Sequence, residues 1–92
     1  MERLPKLTPT GVPYGRFTDA NIAHYKDWTI VVVFDSTDFD WMAQASQIIC
    51  DTVDEYVASV QQDPYSILYA KASHVTKEGA LADVVRCIDE LN

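Results

Sequence analysis

Between Asp27 and Ala70 the chain has no lysine and no arginine. The same window holds eight carboxylates: Asp27, Asp35, Asp38, Asp40, Asp51, Asp54, Glu55 and Asp63. Across all 92 residues the formal net charge is −7. So acidic a chain lacks the basic footprint that a direct nucleic-acid or anionic-membrane binder needs. Glycine is scarce, with three in all, and no glycine-rich phosphate loop is present. The two cysteines, Cys50 and Cys87, form no CxxC and are too few to hold a structural zinc. They are expected as reduced, half-buried thiols within helices, with a disulfide between the helices as the alternative.

No apolar run approaches the roughly 18 residues of a membrane span. Met1-Glu2-Arg3-Leu4-Pro5 has no signal-peptide core. The expectation is a cytoplasmic protein. His24 and His74 are the two histidines, and nothing in the sequence supplies either with an activated nucleophile. No catalytic residue, metal ligand or cofactor site is therefore expected, and the protein is read as a non-enzyme.

What is present is a strongly patterned chain, 48% hydrophobic, long enough for one domain. Residues 1–16 carry Pro5, Pro9 and Pro13 with Gly11 and Gly15, which suits neither a helix nor a central strand. They are expected as an extended arm, with 17–92 as a single α/β domain. Thr18 with Phe17 before it and Ile22 after it has the spacing of a capped, stapled helix over Asp19–Lys26. A strand hairpinned onto the next element is the alternative. Trp28–Phe34 reads as a strand, since β-branched residues dominate it. It is apolar on both faces, with Trp28, Ile30, Val32 and Phe34 on one and Val31 and Val33 on the other. Such a strand is central and covered on both sides.

Thr37 with Asp40 three residues on resembles a capping box, and a long helix is predicted from there to Gln62. Met42, Ala45, Ile49, Val53, Tyr56 and Val60 form its apolar stripe at spacings of three and four. Asp40, Gln44, Gln47, Asp51, Asp54, Glu55, Ala58 and Gln62 form the opposite, acidic face. Tyr65–Ala72 is a second strand, and strand–helix–strand predicts a parallel βαβ unit. Thr76 caps a last helix with Leu81, Val84, Val85, Ile88 and Leu91 inward. The expected fold is thus a small α/β domain, a βαβ unit with a long central helix and a two- to three-stranded sheet. An opening helix at Thr18–Ile22 and strands at Ile30–Phe34 and Tyr65–Lys71 resemble the first half of a thioredoxin-type domain. Asp38, Phe39, Asp40 and Trp41 stand where its redox cysteines would be, so the resemblance implies no redox activity.

Two clusters stand out. Asp35, Asp38 and Asp40 follow the first strand, where helix capping competes with binding of a hard cation. If the two strands are parallel, Ser73 and His74 emerge at that same edge. The acidic helix face, bordered by Trp41 and Ile48 on one flank and Phe39, Cys50 and Val57 on the other, has the composition of a protein interface. The expected contact residues are Asp38, Asp40, Trp41, Gln44, Gln47, Ile48, Asp51, Asp54 and Glu55. The expected role is docking of that face on a basic, nucleic-acid-handling surface of a partner, as phage or mobile-element inhibitors do. An adaptor subunit, and a small metal-dependent or thioredoxin-like protein, are the alternatives. Monomer and homodimer remain equally open.

Overall fold

The strand expected over Trp28–Phe34 is the middle member of a five-stranded sheet. A computed structural model describes residues 4–10, 17–62 and 69–91. In chain order the elements are β1 (Thr8–Pro9), β2 (Phe17–Tyr25), β3 (Trp28–Asp35), β4 (Asp40–Ser46), α1 (Val53–Gln62), β5 (Tyr69–His74) and α2 (Lys77–Leu91). The sheet order is β1-β2-β3-β4-β5, and every neighbouring pair is antiparallel. The expected βαβ unit with its parallel strands and long central helix is therefore overturned, and with it the thioredoxin-type likeness.

The first correction is β2. Phe17–Tyr25 is a strand hairpinned onto β3 through Lys26 and Asp27, the alternative weighed against a short helix. Lys26 takes a left-handed φ of 54° to close the turn. The Thr18 cap signal marks a bulge instead: the register shifts between Thr18 and Asn21, and Asp19 has φ 50°. Asn21 Nδ2 donates to the Asp19 carbonyl across it, 2.7 Å.

The second correction is the long helix. Its predicted first half is a hairpin and β4, which pairs along β3 from Asp35↔Asp40 to Thr29↔Ser46. Met, Ala and Gln favour helices in isolation, but here period two decides. Ala43 and Ala45 face one side with Trp41, while Met42 faces the other. The Thr37 cap signal is a turn signal, since the Asp35 carboxylate accepts from the Thr37 amide, 3.0 Å. Ile49, expected in the core stripe, is 72% exposed. The true helix start lies later. Thr52 Oγ1 accepts from the Glu55 amide, 3.1 Å, and Glu55 Oε2 reaches back to the Asp51 amide, 3.3 Å. That is a variant of the Thr-x-x-Glu box over residues 52–55, with the glutamate accepting from the residue before the N-cap.

The face assignment of β3 holds. Trp28, Ile30 and Val32 pack with Ala80, Leu81, Val84, Val85 and Ile88 of α2 on one side. Val31 and Val33 pack with Cys50, Val53 and Tyr56 on the other. Small Ala43 and Ala45 let α2 come close, and each large apolar side chain buried there contributes about 1.5–3 kcal/mol. The last helix starts as expected, with Thr76 Oγ1 accepting from the Gly79 amide at 3.0 Å. The expected second strand begins late, and its residues 65–68 lie outside the described residues. Of the N-terminal arm, β1 pairs with β2 at Thr8↔Ile22 and Pro9↔Asn21.

Candidate protein-binding surface

The β3–β4 turn gathers three carboxylates from six residues of sequence. Asp35 closes β3 and Asp40 opens β4, as a cross-strand pair with side chains on the α1 side of the sheet. Asp38 sits at the tip. Ligating oxygens of Asp35, Asp38 and Asp40 all lie within 4.8 Å of one another. Asp35 is buried, 4% exposed, and accepts from the Thr37 and Asp38 amides, at 3.0 and 3.4 Å. Three carboxylates are hard ligands of the kind Mg²⁺ and Ca²⁺ take, and one of them is already committed to the turn. The arrangement is a turn that concentrates negative charge.

Phe39 stands in the midst of it. Its amide donates to the Asp35 carbonyl at 2.8 Å, and its backbone is left-handed, φ 55°. A bulky residue pays for that conformation in strain, yet its side chain is 77% exposed. β5 ends beside this turn. Trp41 pairs with His74, so the next residue, Val75, lies level with Asp40, and it is 76% exposed. His74 thus emerges at the same end as Asp35, as expected for parallel strands, but because β4 runs between two strands of one direction. It is exposed, and its Nδ1 accepts from the Thr76 amide at 3.2 Å.

The second acidic group is Asp51, Asp54 and Glu55 at the start of α1, all exposed. A cavity of about 250 Å³ with mixed polar and apolar walls opens there between β1 and α1, lined by Thr8, Pro9, Thr10, Ile22, Asp51, Thr52, Val53 and Asp54. Across Val53 lies an apolar cleft of about 130 Å³, lined by Phe17, Val31, Val33, Met42, Gln44, Val53 and Tyr56.

Two ion pairs occur among the described residues, Lys26–Asp89 at 2.7 Å and Arg86–Asp83. Both engage acids of α2, and neither involves Asp38, Asp40, Asp51 or Glu55. Asp89 also accepts from the Tyr25 hydroxyl, 2.9 Å. The Lys26 and Tyr25 hydrogen bonds hold its carboxyl below the usual range, and Asp89 in turn raises Lys26. Burial pushes the Cys50 thiol up. Cys50 and Cys87 form no disulfide with each other and pack against opposite faces of the sheet, so the disulfide alternative falls.

The nine residues expected on one helix face are thus dispersed. Asp38 and Asp40 meet at the turn, and Asp51, Asp54 and Glu55 meet at α1. Gln44 lines the cleft, and Gln47 and Ile48 lie in the loop between. Trp41 sits on the other face, edge-to-face with Phe34 at 5.3 Å and beneath the Lys77 ammonium at 5.4 Å from its ring centroid. Trp41 is half-buried, whereas Phe39 is exposed. The signal that identifies it is the run Asp-Ser-Thr-Asp-Phe-Asp of residues 35–40, read as a turn between two strands.

Fold and surface together define a class: a five-stranded antiparallel sheet with one helix on each face and an acidic end that displays an aromatic. Compared with protein-family models, curated proteins and solved structures, the chain matches none. No helix among the described residues is long and apolar enough to cross a membrane.

Proposed function

We propose that the protein is a non-catalytic binding module that docks its acidic turn on a basic surface of a partner protein. The observation that carries this is Phe39: a large apolar side chain, 77% exposed, strained in its backbone and set between Asp38 and Asp40 in the chain. Strain at an exposed aromatic contributes nothing to folding, and strained residues cluster where a ligand contacts them. An exposed aromatic with adjacent charge is the composition of an interface hot spot. The surrounding acids select a basic partner and speed the encounter.

In its sharper form the proposal is an inhibitor acting in the cytoplasm, where the turn occupies a surface that otherwise holds nucleic acid. The absence of a disulfide between Cys50 and Cys87 supports that compartment. The test uses the tagged full chain on lysate of its source cells, at low and high salt. It is run for the wild type and for a variant combining Asp38→Asn, Phe39→Ala and Asp40→Asn. The expected outcome is a partner captured at low salt, released at high salt and lost with the variant. Equal capture by wild type and variant overturns the docking surface. If the captured partner then binds labelled nucleic acid equally well with and without the protein, the inhibitor form fails and plain adaptor binding is left.

A further inference from the structure

We infer that the apolar cleft on the α1 face seats one aliphatic side chain of a partner segment whose neighbouring residues are lysine or arginine. This rests on the proposal that the partner presents a basic surface, and specifies what that surface must carry. Four observations converge on it.

The first is size. The cleft holds about 130 Å³, slightly less than the 150 Å³ apolar cavity that admits benzene. It is of a size to accommodate one leucine, isoleucine or methionine side chain. The second is lining. Phe17, Val31, Val33, Met42 and Val53 give walls without charge, and Gln44 supplies one amide able to pair with a peptide backbone.

The third is the charge at its borders. Asp40 and Met42 are two residues apart on one strand and share a face, so the carboxylate lies about 7 Å from the cleft's methionine. Asp38 is clustered with it. On the other side, beyond Val53, stand Asp51 and Asp54. A lysine next to the anchored side chain reaches either group, since consecutive Cα atoms are about 3.8 Å apart. The fourth is the charge of the chain itself. With fourteen acids against seven bases, the acidic faces of two copies repel each other, which favours a basic partner over a second copy.

The experiment places a ¹³C label on the methionine methyls of the full chain. Met42 lines the cleft and Met1 serves as reference. Three short blocked peptides are titrated in, with central sequences Lys-Leu-Lys, Lys-Ser-Lys and Glu-Leu-Glu. Expected is a saturable shift of the Met42 methyl with Lys-Leu-Lys, at an affinity about ten- to a hundredfold above Lys-Ser-Lys, the worth of one buried aliphatic side chain. If the two lysine peptides bind equally and Met42 does not move, the inference fails while docking through charge stands. If Glu-Leu-Glu binds as well as Lys-Leu-Lys, the basic partner itself is wrong and both fall. No shift with any peptide overturns the inference, as does a Met42 shift that depends on protein concentration alone, which assigns the cleft to a second copy.

Discussion

Phe39 links the stability of its turn to the proposed docking role. Left-handed backbone costs a non-glycine residue about 1–2 kcal/mol, while glycine brings back about 0.5–1 kcal/mol of unfolded-chain entropy. Phe39→Gly is therefore expected to stabilise the free protein by about 0.5–1 kcal/mol, read as a higher midpoint in urea, while partner capture weakens. A variant that loses stability would show that the Phe39 side chain packs in the fold. Thr29 has the opposite character. It is fully buried, and its hydroxyl donates to the Ile48 carbonyl at 2.5 Å and accepts from the Cys50 amide at 3.2 Å. His24 Nε2 donates to the Cys50 carbonyl at 2.7 Å, holding the same loop to β2. Thr29→Val keeps the shape and strands two backbone groups, so it should cost about 2–4 kcal/mol. In a domain of this size that lowers Tm by roughly 10 °C or more. Little loss would mean that the loop over residues 47–52 repairs those bonds elsewhere. Neither residue announces itself in sequence: Thr29 reads as one more β-former, and Phe39 as a helix flank.

Elements were legible where burial is one-sided and local. The stripe Leu81, Val84, Val85 and Ile88 of α2 was visible from its spacing, because one helix meets one sheet face. β4 was hidden, because Met42, Ala43, Gln44 and Ala45 suit a helix and become a strand only when β3 offers its free edge. The two ends of α2 carry separate predictions. At its start, a Cβ on Gly79 would come within 2.2 Å of the His74 ring. Gly79→Ala alone should gain nothing, whereas combined with His74→Ala it should stabilise by about 0.5–1 kcal/mol, the helix preference of alanine. At its end, α2 has no basic residue in the last turn, and Lys26 from the β2–β3 turn supplies the cation. Because Asp89 is held below its ordinary range, the folded protein keeps that carboxylate charged where the unfolded chain has taken up a proton. The stabilisation is fully present above about pH 4, the unfolded value, and is lost as pH falls through the lower folded value. Lys26 is raised, so its contribution persists below about pH 10.5 and is lost as pH rises through the folded value. Urea midpoints of wild type and Asp89→Asn should differ by a constant amount near neutrality and converge in acid. A gap that stays constant into acid would remove the Asp89 contribution.

For the molecule as a whole, charge and chain path answer different questions. The concentration of acids between Asp27 and Ala70 belongs to the sequence, as does the two-sided hydrophobicity of Trp28–Phe34, because both follow from residue identity and a period of two. From these alone it followed that the strand is central and covered on both faces. The sequence did not determine which acids stand together. A helix would have spread Asp38, Asp40, Asp51, Asp54 and Glu55 along one face. The sheet instead draws Asp38 and Asp40 to Asp35 at one turn and leaves the other three at the start of α1. It sends Trp41 under Lys77 and leaves Phe39 outside. The physical reason is that strand pairing is a long-range choice. Ser36–Phe39 is compatible with a helix start or a tight turn, and the energies of the two differ locally by little. What decides is the row of backbone groups on β3, which β4 satisfies over its whole length and a helix could not.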